Sequence, residues 1–159
     1  MNFSHIKKNK QINMVDISEK NINSREAHAY GLVKFNLNTF KKIIEDGSPK
    51  GEIFNTARLA GIMAAKKTHE LIPLCHNITI NSVTIDFKIN SENSTLEIIS
   101  IVKSNTKTGV EMEALTACAT CCLTLYDMCK SFDKTITIKE IKLIFKSGGK
   151  SGEFINDNI

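Results

Sequence analysis

Four short stretches carry the residue types that proton transfer and anion binding require. Asp127 and Lys130 stand three apart in a helix-forming run, so they share one helix face and can hold each other as a carboxylate–ammonium pair. Their neighbours Leu123, Leu125, Tyr126, Met128 and Cys129 are apolar. A lysine partly desolvated there and oriented by the aspartate would serve as acid or base at neutral pH. Leu74-Cys75-His76, with Pro73 before it, puts an imidazole at a helix-to-strand junction, the natural proton carrier near pH 7. Lys107-Thr108-Gly109-Val110-Glu111-Met112-Glu113 opens a helix whose free N–H groups and positive dipole end suit an anion. Glu111, three after Thr108, fits a capping box, whereas Glu113 has no such duty. The stretch Lys146-Ser147-Gly148-Gly149-Lys150-Ser151-Gly152 combines glycine amides with two lysines, the makings of an anion nest. It is not a P-loop, because Ile144 occupies the place of the first glycine and no helix follows. Each stretch also has a plainer reading: a surface ion pair, a loop histidine, a helix cap, a flexible basic tail.

Spacing adds a constraint. Glu113 and Asp127 are fourteen residues apart on one helix, or about 21 Å along its axis. A single small ligand does not bridge both within one chain, whereas antiparallel copies of the helix across a two-fold axis bring one chain's Glu113 near another's Asp127. The expectation is a site shared between chains.

The elements that must hold these groups follow from periodicity. Residues 1–24 read as a mostly extended arm, and 147–159 as a glycine-rich basic loop and tail, within a single domain spanning 1–159. Strands are predicted over 29–37, 77–88 (with a bulge at Asn81-Ser82), 96–102 and 135–145. Asn38 is the expected cap of a short helix over 39–45, ended by Gly47 before a turn at 48–51. A longer helix covers 52–68, its small residues Ala57, Ala60, Gly61, Ala64 and Ala65 permitting close packing, and Pro73 stops it. Residues 91–94 form a hairpin turn, and the longest helix runs from Thr108 to about Ser131. Setting the second helix aside as an insertion leaves β-α-β-β-α-β, an α+β ferredoxin-like split arrangement: an antiparallel sheet with helices on one face. Because 96–102 is apolar on both sides in places, the bare face is expected to be apolar and covered by another subunit.

Composition excludes whole classes. The longest apolar run, 59–65, is far short of the ~20 residues of a membrane span, and residues 1–12 lack an apolar signal core, which points to the cytoplasm. The five cysteines are Cys75, Cys118, Cys121, Cys122 and Cys129, an odd number that suits a reducing compartment. Cys118-x-x-Cys121 invites zinc or redox chemistry, but with Ala114, Cys122, Leu125 and Cys129 it forms a helical stripe, which favours burial as small hydrophobes. A net charge of +4, nearly all lysine beside only Arg25 and Arg58, is compatible with an anionic ligand without demanding nucleic acid. An RNA-binding split βαβ domain needs exposed aromatics on its central strands, and 96–102 has none.

Read together, Met14-Val15-Asp16-Ile17-Ser18, Lys50-Gly51 through Ala57-Arg58-Leu59-Ala60-Gly61-Ile62, Leu71-Ile72-Pro73-Leu74-Cys75-His76, Thr108-Gly109-Val110-Glu111-Met112-Glu113-Ala114-Leu115, Leu125-Tyr126-Asp127-Met128-Cys129-Lys130 and 146–152 resemble the cyclic pyranopterin monophosphate synthase family (molybdenum cofactor biosynthesis protein C), in its order, over residues 14–154. The sequence departs from the family pattern at Asn77 (usually Pro), Thr106 (usually Gly) and Asn13 (His in some members). The resemblance implies a homohexamer, a trimer of dimers with sites at subunit interfaces. It implies conversion of 3′,8-cyclo-7,8-dihydro-GTP to cyclic pyranopterin monophosphate and pyrophosphate. It assigns catalysis to Asp127 and Lys130, and substrate contact to Leu74, Cys75, His76, Met112 and Glu113, with Lys50, Arg25, Glu111 and Lys146 as further polar members. That chemistry calls for no cofactor, any Mg²⁺ entering on the substrate triphosphate. A nucleotide-binding regulatory subunit without turnover is the competing class.

Overall fold

Ala27, Ala29, Gly31 and Val33 alternate along one strand and expose almost no surface, so whatever packs on that side of the strand comes unusually close. The computed structural model, which describes residues 5, 11–44, 50–150 and 152–156 (Lys50 by its backbone alone), places the longest helix there. In chain order the elements are β1 (Asn23–Lys34), α1 (Leu37–Ile44), α2 (Lys50–Lys66), α3 (Thr68–Leu71), β2 (Ser82–Asn90), β3 (Thr95–Thr106), α4 (Glu111–Cys129), β4 (Thr137–Ser147) and β5 (Phe154–Ile155). The sheet is antiparallel, in the order β2-β3-β1-β4-β5, with α2 and α4 side by side on one face. This is the ferredoxin-like α+β arrangement expected from the pattern, extended by β5, which the sequence reading did not anticipate.

The extra helix is α1, not the second one. The stretch set aside in the sequence reading is α2, which lies against α4 and β2. Its small residues explain the fit: Ala57, Ala64 and Ala65 are buried, and a Cβ on Gly61 would stand 2.8 Å from the Ala117 carbonyl oxygen of α4 and also meet Ile85 of β2. The cap also moves. Asn36, not Asn38, starts α1: its Oδ1 accepts the Thr39 N–H at 2.9 Å. Gly47 and the first two residues of the 48–51 turn lie outside the described residues, and Lys50 and Gly51 belong to the first turn of α2.

The expected strand over 77–88 begins only at Ser82. Residues 79–81 instead run beside the end of β3, held by the Asn81 N–H on the Lys103 carbonyl (2.9 Å), by Ser104 donating to the Thr79 carbonyl (2.5 Å) and by Asn81 Oδ1 accepting the Asn105 N–H (2.7 Å). The two register shifts of the sheet occur between β1 and β4, at His28/Ala29 and Leu32/Val33.

All five cysteines are free. Cys118, Cys121, Cys122 and Cys129 are core residues in one cluster with Leu96, Ile98, Val102 and Leu125, Cys118 and Cys122 lying against Gly31 of β1 and Cys121 against Gly61 of α2, and burial pushes the Cys121 thiol up to about 12 and the Cys129 thiol to about 11. Among the described residues no group of three His, Cys, Asp or Glu side chains could hold a metal, and no helix is long and apolar enough to cross a membrane.

The bare face of the sheet is not the apolar surface expected. Half-buried Leu32, Ile99 and Ile101 are interspersed with a charge ladder: Glu26 pairs with His28 (2.7 Å) and Lys103 (3.1 Å), Glu97 with Lys88 (3.4 Å), and Glu140 with Lys142 (3.1 Å). The alternation along β1 puts Glu26 and His28 on the side opposite Ala27 and Ala29.

A Cβ built on Gly31 would lie 2.7 Å from the Cys118 sulfur and 2.8 Å from that of Cys122. Gly31→Ala is therefore expected to cost about 1–3 kcal/mol by forcing α4 off the sheet, read as a lowered urea midpoint. Combining it with Cys122→Ala should restore part of the loss.

Candidate active site

The helix start at α4 is built differently from the predicted capping box. The N-cap residue is Val110, with no side-chain cap hydrogen bond, and Glu111 turns to Lys146 of β4 instead (3.3 Å). Thr108 and Gly109 thus stay in the approach to the helix, and both line two neighbouring cavities that also share Glu111. A Cβ on Gly109 would meet the Glu111 carboxylate, the movable end of a side chain.

The larger cavity, about 680 Å³, is a cationic cleft. Lys20, Arg25, Lys107, Lys146 and Lys150 line it against Glu19 and Glu111. Arg25 is 8% exposed, its Nε donating to the Thr106 carbonyl (3.4 Å), and the glycine loop wraps it. Gly148 and Gly149 have φ of +84° and +87°, and a Cβ on Gly149 would run into the Arg25 guanidinium. Only glycine permits both the left-handed backbone and that approach. Such a cleft, with backbone amides and five cations, suits a polyphosphate.

The smaller cavity, about 140 Å³, is lined by His5, Val15, Leu74, Cys75, His76, Met112 and Glu113 beside the shared residues. Its titratable groups are unusual. Glu113 is 4% exposed, and burial pushes its carboxyl up to about 7, with the Glu111 charge adding to the shift and a hydrogen bond from its own backbone N–H opposing it. The Cys75 thiol is pushed up by burial and then by Glu113. His76 donates from Nε2 to the Val15 carbonyl at 2.7 Å, which fixes the protonated nitrogen and leaves Nδ1 for proton exchange.

The structure therefore brings together Leu74, Cys75, His76, Glu111, Met112 and Glu113 around the small cavity, and Arg25, Glu111 and Lys146 around the large one. The side chain of Lys50 lies outside the described residues. Asp127 and Lys130 are not with the others: they sit near the far end of α4, about 21 Å along the axis from Glu113. Nor is their setting apolar within one chain. Leu125 and Cys129 turn inward, while the side chains of Lys130 and Asp127 are 56% and 65% exposed and pair at 2.5 Å. The hydrogen bond to Asp127, followed by its charge, holds the Lys130 amine above its ordinary range rather than below it.

Sequence reasoning missed the arm's share of the site. Val15, Glu19, Lys20 and Asn21 all line one cavity or the other, and Lys107 donates to the Ser18 carbonyl (2.7 Å). The matching run at residues 14–18 was the available signal, since a polar arm with no core of its own is held only by what it lies against.

Glu113 gives the site a pH signature. Its folded-state carboxyl titrates at about 7 against 4.5 in the open chain, so stability falls as pH rises from about 4.5 to about 7 and is level above that window. Glu113→Gln should leave the urea midpoint near wild type at pH 5 and raise stability by about 1–3 kcal/mol at pH 8. Equal effects at both pH values would show an ordinary carboxylate.

Residues 14–149 match the model of the MoaC family. A protein of Desulfatibacillum aliphaticivorans named cyclic pyranopterin monophosphate synthase is 47% identical over 98% of this chain and 98% of its own length. Those of the same name from Clostridium botulinum and Clostridium acetobutylicum are 49% and 46% identical, covering 98% and 96% of this chain and 98% and 94% of theirs. A match of this extent makes the chain a member of the MoaC family.

Proposed function

We propose that this chain performs the reaction its relatives are named for, cyclic pyranopterin monophosphate synthesis in molybdenum cofactor biosynthesis. As a phosphorus–oxygen lyase it would convert (8S)-3′,8-cyclo-7,8-dihydroguanosine 5′-triphosphate to the cyclic monophosphate and pyrophosphate. The observation that carries the reading is the union of a five-cation cleft with a small cavity holding Glu113 and His76, joined through Thr108, Gly109 and Glu111. The triphosphate suits the cleft, where lysines and glycine amides offset the charge that builds on departing pyrophosphate. The purine-derived ring suits the small cavity, where a carboxyl poised near 7 and an imidazole with one free nitrogen can exchange the protons a purine-to-pterin rearrangement needs.

Asp127 and Lys130 are proposed as the catalytic pair, supplied to that cavity by a second copy of the chain. In one chain they are too far from Glu113 to share a small ligand, and a neighbour's surface would provide the desolvation the lysine lacks. The homohexamer, a trimer of dimers, is the assembly proposed to seat them. Five free thiols fit work in the cytoplasm, where thiols stay reduced.

The test is product formation from the cyclo-GTP substrate, read as pyrophosphate and a fluorescent pterin derivative. Lys130→Ala and Asp127→Asn should each lower the rate by at least about a hundredfold while substrate binding is kept. Unchanged turnover would remove the pair from the mechanism, and binding without turnover in the wild type would favour a regulatory subunit. Co-refolding Lys130→Ala with Glu113→Gln should regain activity in about a quarter of the sites if each site draws on two chains, and none if one chain holds it all.

A further inference from the structure

Two groups of the candidate site are held by one short piece of the N-terminal arm. The Val15 carbonyl accepts from His76 Nε2 (2.7 Å), and the Ser18 carbonyl accepts from Lys107 Nζ (2.7 Å). Between them, Asp16 Oδ1 accepts both the backbone N–H of Ser18 (2.9 Å) and its hydroxyl (2.7 Å). This turn fixes the backbone of 16–18 and hence the relation between the two accepting carbonyls. Its partners belong to different cavities: His76 to the small one, Lys107 to the cationic cleft.

The Asp16 side chain is exposed and contributes nothing to the core, so the turn has no packing duty that would account for it. The Ser18 backbone N–H and hydroxyl hold the Asp16 carboxyl below its usual range, which keeps it an acceptor in the turn. Apart from this turn, the segment is held by the Lys20 N–H on the Ile17 carbonyl (3.1 Å), a bond that does not reach Val15.

We propose that Asp16 is a positioning residue of this site, its turn with Ser18 setting the arm so that the Val15 and Ser18 carbonyls orient His76 for proton transfer and Lys107 for phosphate binding. The role assigned to His76 and to the cleft rests on the proposed reaction, but the positioning itself is a property of the free protein and is measured there.

The experiment uses the full chain with Asp16→Ala and Asp16→Asn, asparagine keeping the acceptor oxygen while losing the charge. Two readouts are taken without the nucleotide substrate: the His76 ring ¹⁵N shifts, which report which nitrogen bears the proton, and the affinity for pyrophosphate. In the wild type and in Asp16→Asn, Nε2 should carry the proton. In Asp16→Ala the tautomers should mix and pyrophosphate binding should weaken about three- to tenfold, the usual cost of an unanchored charged contact. Unchanged ring shifts and pyrophosphate affinity in Asp16→Ala would overturn the proposal, as would Asp16→Asn behaving like Asp16→Ala. Failure of the wild type to form the pterin product would count against the proposed reaction alone. A circular dichroism melt matching wild type would show that both variants are folded.

Discussion

A carboxyl buried in the first turn of α4 is the constraint around which the rest of the site is arranged. An ionised Glu113 at 4% exposure lacks the solvation that water would give it, so the protein keeps it near the balance point between its two protonation states. The helix dipole favours an anion at that position and Glu111 disfavours one. Burial is the largest effect and acts with Glu111, and together they outweigh the dipole and the backbone hydrogen bond, as the direction of the shift shows. Glu111 has its own cation in Lys146, which keeps that second negative charge paired and directs it to the cleft side.

What buries Glu113 is the tight seating of α4 on β1 and against α2. Glycine and alanine on β1, thiols on α4, and Gly61 with its alanine neighbours on α2 bring three elements closer than larger side chains would permit. Ser100 adds a directed tie from the centre of β3, its hydroxyl donating to the Ala114 carbonyl at 2.7 Å, one residue beyond Glu113. The cysteines are thus chosen for size rather than reactivity. The thiol burial that disfavours their redox chemistry at neutral pH also fixes the helix that bears Glu113 at its start.

Much of this was legible in the chain. The helical stripe of Ala114, Cys118, Cys121, Cys122, Leu125 and Cys129 and the alternation in the strands placed α4 on a sheet of the correct topology, because both signals come from burial itself. The spacing of Glu113 and Asp127 correctly separated two groups that the family resemblance puts in one site. What was not legible depends on contacts made across the chain. Glu111 matched a capping pattern, but Lys146, thirty-five residues later, offered a charge that competed for it. Asn36 rather than Asn38 caps α1 because β1 ends at Lys34 and the helix starts two residues earlier than the local pattern suggested. The strand at 96–102 reads as apolar on both sides in places, yet its own Glu97 pairs with Lys88 of β2 and the following Lys103 with Glu26 of β1. The arm's part in the site left only a five-residue motif in the sequence, since its hold on His76 and Lys107 is made by backbone carbonyls, which every residue possesses.

A ¹³C-NMR titration of the Glu113 side-chain carboxyl in the free protein, assigned by its loss in Glu113→Gln, is the most direct measurement. The buried carboxyl should titrate near pH 7. A midpoint at the ordinary glutamate value of about 4.3 would mean that the group is solvated, and would contradict its place as the poised acid of the cavity.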